Sequence, residues 1–143
     1  MNTEDTKRTE GKTRKPNEIS EVIIGAAIKV HRKLGPGLLE SAYEACLAFE
    51  LARRGHAIER QKRMPIAYDG LEIDEGYRID LLVDGEIIVE LKAVARLEDV
   101  HEAQLLSYVR LAKKPVGLLI NFNVPRLAEG VRRVVNGPHR LSL

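Results

Sequence analysis

Three charged residues interrupt apolar stretches near the middle of this chain. Asp80 lies in Tyr77-Arg78-Ile79-Asp80-Leu81-Leu82-Val83, and Glu90 and Lys92 close Ile87-Ile88-Val89-Glu90-Leu91-Lys92. Both stretches are rich in β-branched and aliphatic residues and flank Asp84-Gly85, a strong hairpin signal. Ionised side chains are uncommon in such strands unless they are paired or bind a metal. Asp80 and Glu90 offer the hard oxygens that Mg²⁺ and Mn²⁺ prefer, and the carbonyl of Leu91 can add a third. Lys92 follows Glu90 on the same strand face, about 6.5–7 Å further along. Phosphodiester hydrolysis needs a metal to polarise the phosphate and acidify water, and a cation to offset the developing negative charge. The triplet has the parts for both. Taken alone, it is equally compatible with a cross-strand salt bridge on an exposed sheet face.

Side-chain alternation constrains the hairpin that must position these groups. Tyr77, Ile79, Leu81 and Val83 fall on one face of the first arm, and Ile87, Val89 and Leu91 on one face of the second. A two-residue Asp84-Gly85 turn would set each apolar set against the other arm's charges. A three-residue loop, Val83-Asp84-Gly85 with Gly85 left-handed, restores the match. It places Leu82 opposite Glu86 and Asp80 opposite Ile88. Asp80, Glu90 and Lys92 then share one face, with Asp80 diagonal to Glu90.

Glu40 adds a third carboxylate. It sits in Gly37-Leu38-Leu39-Glu40-Ser41-Ala42-Tyr43, in the first turn of a helix whose Tyr43, Leu47 and Leu51 follow on the same face. A carboxylate there serves as a helix-dipole partner or points over the sheet as an outer metal ligand. Gln104 and Tyr108, four residues apart, share a face of a later helix and can flank the same site. His31 and His101 have no His or Cys partner at ligand spacing and read as core or surface histidines.

Around these residues the chain divides into alternating patterns. Residues 1–16 are polar and basic, with Lys7, Arg8, Lys12, Arg14 and Lys15, and read as a disordered arm. Residues 17–143 read as a single domain. Asn17 is the expected cap of a helix with Ile19, Val22, Ile23, Ala26, Ala27, Val30 and Leu34 on one stripe, stopped by Gly35-Pro36-Gly37. A second helix runs from about Leu39 to Arg54. Ile58 to Tyr68, with Pro65, reads as an edge strand, and Asp69-Gly70 turns it into the strand that carries Asp80. A helix from about Glu98 to Ala112 follows, then Val116-Gly117-Leu118-Leu119-Ile120, a run typical of a strand buried on both faces. Beyond Leu127 the pattern suggests a short helical turn and a last strand. The order predicts an α/β fold with a mixed sheet flanked by helices.

Composition bounds the function. The chain has 143 residues, 44% of them apolar and 31% charged, with a net charge of +2, which by itself makes no case for nucleic acid. No apolar run approaches a membrane span and no signal-peptide pattern opens the chain, so the expected location is cytoplasmic. The lone Cys46 excludes an internal disulfide and a multi-cysteine zinc site, and reads as a buried structural thiol.

Together, Asp80, Glu90-x-Lys92, the Gly37/Glu40/Tyr43 box and Gln104-x-x-x-Tyr108 resemble the PD-(D/E)XK nuclease superfamily over roughly residues 18–137. Gly37-x-x-Glu40-x-x-Tyr43 resembles the signature of its small bacterial GxxExxY family. Ile79 stands where the motif name has proline. The resemblance implies a restriction-endonuclease-like αβββαβ core and a divalent metal, Mg²⁺ or Mn²⁺, on carboxylates matching Asp80 and Glu90. It further implies a catalytic lysine matching Lys92 and an acidic helix residue matching Glu40, while Gln104 and Tyr108 resemble the exonuclease branch. The function so implied is hydrolysis of nucleic acid, DNA ahead of RNA. The alternative is a non-catalytic nucleic-acid-binding or protein-interaction module that keeps the fold. With no recognition domain, two Phe, four Tyr and no Trp for base stacking, the chain is expected to depend on a partner, a second copy or another protein. Basic runs at Arg53-Arg54 and Arg60-Gln61-Lys62-Arg63 can track a phosphate backbone or serve as solvated edges.

Overall fold

The structure, a computed structural model, describes residues 15–137. Most of the basic arm, residues 1–14, lies outside the described residues. Pro16 already belongs to the first helix, α1 (Pro16–Leu34), because a proline in the first turn sacrifices no helical hydrogen bond. Asn17 is therefore not the cap. It lies inside the first turn and accepts a hydrogen bond from Arg133, while the Lys15 N–H donates to Glu18 at 3.3 Å. The apolar stripe buries Ile19, Ile23, Ala26, Ala27 and Val30, as its helical spacing requires, whereas Val22 is only partly buried and Leu34, at the helix end, is exposed.

Helix α2 (Glu40–Arg53) follows, then strands β1 (Ile58–Tyr68), β2 (Leu71–Val83) and β3 (Ile87–Lys92). Helix α3 (Asp99–Leu111), β4 (Val116–Asn121), a 3₁₀ turn (Leu127–Gly130) and β5 (Val131–Val135) complete the described chain. The five strands lie in sequence order. All neighbours are antiparallel except β3 and β4, which the α3 crossover makes parallel. This is the expected mixed sheet flanked by helices. Helices α1 and α2 cover one face around Leu81, Val83, Val89 and Leu118, and α3 covers the other around Ile79, Leu82, Ile88 and Leu119. Every residue of β4 is buried, as its unbroken apolar run demands.

The β2–β3 loop has the expected odd length and parity but a different register. Val83 pairs with Ile87 and Leu81 with Val89, so the loop is Asp84-Gly85-Glu86. Asp84 and Gly85 both take positive φ, +54° and +66°, and the Glu86 N–H closes on the Val83 carbonyl at 2.9 Å. The expected pairing of Asp80 with Ile88 is thus displaced by two residues along β3. Continuing the observed register brings Asp80 level with Glu90 rather than diagonal to it.

Alternation also fails along the first arm. Tyr77 and Ile79 pack on the α3 side, whereas Leu81 and Val83 pack on the α1/α2 side. In β1, Ile58 packs on the α1/α2 side and Met64 on the α3 side, although even spacing should keep them together. Gln61, between them, has φ +50°. Both strands therefore change face at neighbouring positions, and the sheet turns a corner at Gln61 and Asp80. Side-chain periodicity assumes a straight strand, so the expectation that Asp80, Glu90 and Lys92 share one plain face does not hold for Asp80.

Candidate active site

At that corner β2 and β3 part. The recorded backbone pairing ends at Leu81 and Val89, and side chains take up the next hydrogen bonds. The Asp80 N–H donates to Glu90 Oε2 at 2.8 Å, and the Leu91 N–H donates to Asp80 Oδ2 at 2.8 Å. A strand N–H lies in the sheet plane, so the Asp80 carboxylate sits in the gap between the strands. The carbonyl of Leu91 points to the same strand edge as its N–H and faces that gap as well. Two carboxylates and a backbone carbonyl are thereby gathered at one opening. Lys92, the last residue of β3, is half-buried and forms no ion pair among the described residues.

The electrostatics follow from this crowding. Burial pushes the Glu90 carboxyl up to about 8, and the nearby Asp80 charge, with Glu44, pushes the same way. The Asp80 N–H and the Lys92 ammonium only partly offset them. Without a cation, Glu90 thus holds a proton at neutral pH. Burial, Glu90 and Asp80 likewise raise the Tyr108 phenol, which stacks on Tyr77 with centroids 4.4 Å apart.

Helix α2 approaches the same end of the sheet. The Ala93 N–H, just beyond Lys92, donates to Glu40 Oε2 at 3.3 Å, so the exposed Glu40 touches the end of β3. The Gly/Glu/Tyr box explains this placement. Gly37 at φ +101° turns the chain into the helix, and the Tyr43 hydroxyl donates to the Gly35 carbonyl at 2.6 Å and accepts the Leu38 N–H at 3.1 Å. Tyr43 is fully buried and stacked on Phe122. It fixes where α2 starts, and its contacts lie with the turn rather than with the carboxylates. Gln104 is exposed and makes no hydrogen bond to the described site residues, so of the α3 pair only Tyr108 feels the acidic centre.

Sequence reasoning missed two groups. Glu44 is 6% exposed, accepting from Arg60 Nε at 3.0 Å and from Gln61 Nε2 at 2.6 Å. Its signal was the Glu40/Glu44 spacing, since like charges four apart on a helix are unfavourable unless something else holds them. Asn121, beside Lys92 in the β3–β4 register, is buried; its amide brackets Val94 by accepting the N–H at 3.0 Å and donating to the carbonyl at 2.9 Å. It fastens the segment that leaves Lys92. A lone Asn at a strand end gives no such signal in sequence. The histidines behave as expected: His31 is buried and its Nε2 pairs with the Val124 carbonyl, while His101 Nδ1 accepts the Glu98 N–H at the start of α3. Cys46 is half-buried rather than buried.

Among the described residues, no group of three or more His, Cys, Asp or Glu side chains comes together to hold a metal. The donor set here is instead two carboxylates and a carbonyl. That set fits Mg²⁺ or Mn²⁺, since Mg²⁺ keeps several waters and needs few protein ligands. Burial and then the Asp80 charge keep Glu90 protonated, and a dication at this opening would offset both.

A family model, the PD-(D/E)XK nuclease superfamily, matches residues 17–134. The chain belongs to that superfamily, whose members are generally metal-dependent nucleases that use Mg²⁺ or Mn²⁺ and act on nucleic acid. No curated protein and no solved structure matches it. No helix among the described residues is long and apolar enough to cross a membrane.

Proposed function

We propose that this chain is a Mg²⁺- or Mn²⁺-dependent phosphodiesterase of the GxxExxY type, cutting nucleic acid at the gap between β2 and β3. The observation that carries this reading is the pair of backbone-to-carboxylate hydrogen bonds, Asp80 N–H to Glu90 and Leu91 N–H to Asp80, that draws the two acids together beside Lys92. Asp80, Glu90 and the Leu91 carbonyl would hold the cation, with Glu40 assisting from α2. The cation supplies Lewis acidity at the phosphate and lowers the pKa of water. Lys92, which forms no ion pair among the described residues although its charge is felt at Glu90, positions water and offsets the charge that develops on the phosphate. Tyr108, stacked on Tyr77, borders the opening.

The substrate in this reading is DNA ahead of RNA. The protein acts in the cytoplasm as one unit over residues 17–143, as a second-copy dimer or with a protein partner. The test is cleavage of mixed DNA and RNA substrates with Mg²⁺, with Mn²⁺ and with chelator. Wild type cuts only with metal, and Lys92→Ala loses about 10²–10³-fold in turnover, the size expected for removing one transition-state charge partner. Equal cleavage by wild type and Lys92→Ala would remove this reading.

A further inference from the structure

Gln61 is the least ordinary residue of β1. It lies mid-strand, between Arg60, which pairs with Leu81, and Lys62, which pairs with Ile79. Its φ of +50° is a conformation that costs L residues other than glycine, asparagine and aspartate about 1–2 kcal/mol and persists only when the surroundings impose it. The side chain accounts for the constraint. Its Nε2 contacts Glu44 Oε1 at 2.6 Å and Asp80 Oδ1 at 3.1 Å. An ionised carboxylate can only accept, so both contacts must be N–H donations from the same amide.

A chain of hydrogen bonds results. Arg60 holds Glu44, Glu44 holds Gln61, Gln61 holds Asp80 Oδ1, and Asp80 Oδ2 receives the Leu91 N–H. Both Asp80 oxygens are thus pinned by donors, and each keeps a second lone pair for a cation. The anchor itself is firm, because Glu44 is a buried residue of α2. One turn earlier the same helix carries Glu40, which reaches the end of β3. Helix α2 therefore braces both sides of the gap: β3 through Glu40, and β2 through Glu44 and Gln61.

We propose that Gln61 is a positioning residue whose amide, bridging Glu44 and Asp80, sets the Asp80 carboxylate for the divalent cation. The inference rests on the proposed metal site at Asp80 and Glu90. Partners that orient a metal ligand are commonly worth tenfold or more in metal affinity. A left-handed backbone at position 61 places the amide between the two acids, so the local strain and the bridge belong to one device.

Mn²⁺ titration of the full chain by electron paramagnetic resonance or calorimetry, well below the melting temperature, tests it. Gln61→Ala should weaken Mn²⁺ binding about tenfold. Gln61→Gly should weaken it equally while sitting without strain at positive φ, so it keeps the test open if the alanine variant folds poorly. Adding Gln61→Ala to Glu44→Gln should cost less affinity than it costs in wild type, because the two groups act through one bridge. A merely structural role would move the melting temperature and leave the Mn²⁺ dissociation constant alone. Asp80→Asn serves as the control. Weakened binding in Asp80→Asn with wild-type affinity in both Gln61 variants overturns the inference and leaves the metal site standing. Unchanged binding in Asp80→Asn overturns the metal site and the inference together, and strictly additive losses for Gln61 and Glu44 overturn the bridge.

Discussion

The two halves of the β2–β3 pair obey different rules. From Leu81 to Val83, facing Ile87 to Val89, the ladder is regular, every side chain is buried and each face has a helix against it. One residue beyond, at Asp80 and Glu90, the recorded pairing stops and carboxylates replace carbonyls as acceptors for the strand N–H groups. The first region is held by area removed from water, which involves no titrating group and no metal ligand. The second is held by hydrogen bonds from strand N–H groups to two acids that burial and proximity make costly to ionise together. The comparison teaches where the sheet stores its chemistry: the closed ladder fixes the register, and the open end spends that rigidity on holding two acids close.

The difference can be broken first on the closed side. Leu118, fully buried in β4 against the α1/α2 layer, should cost about 2–5 kcal/mol when cut to alanine, through lost burial and the cavity left behind. Chemical denaturation checks the stability loss. Metal-dependent cleavage per folded molecule should stay at the wild-type level.

Acidity probes the open side. The folded Glu90 carboxyl titrates near 8 against an ordinary value of 4.5, so the folded state favours the protonated form. Its stabilising contribution is full below about pH 4.5 and is lost as the pH rises through 8. In chelator, wild type should therefore lose stability relative to Glu90→Gln between pH 5 and 8.5, by something on the order of 3 kcal/mol. Denaturation series at several pH values would show it. Parallel stability curves for the two proteins would mean that burial and the Asp80 charge do not hold Glu90 in its protonated form.

The smallest effect concerns the box that starts α2. Tyr43→Phe keeps the ring stack on Phe122 and removes the hydroxyl that joins Gly35 to Leu38. It should cost about 1–2 kcal/mol, the worth of one or two hydrogen bonds, seen as a few degrees in thermal melts. No loss at all would make the hydroxyl incidental to where Glu40 is held.

Much of this was legible in sequence, and the boundary of legibility is physical. The bounds of β1, the fully buried β4, the stripe of α1 and the odd-length hairpin all follow from periodicity and turn chemistry, which are local. Asp80, Glu90 and Lys92 announced themselves because charge in an apolar strand is costly. The corner at Gln61 and Asp80 did not, since alternation assumes an unbroken strand and gives no warning that two neighbours will change face together. Glu44 and Asn121 were hidden for a related reason. Each is ordinary in its own segment and acquires meaning only from a group brought near by the fold, Gln61 in one case and Val94 in the other.

The central claim is that the open end of the β2–β3 pair takes a divalent cation on Asp80. Thermal melts of wild type and Asp80→Asn, each with chelator and with Mg²⁺ or Mn²⁺, address it most directly. A ligand that binds only the folded state stabilises it by about 2.7 kcal/mol at a hundredfold excess over Kd. Wild type should melt higher with metal, and Asp80→Asn should lose most of that gain while melting at or above wild type in chelator. Identical metal-induced shifts in the two proteins would contradict the account.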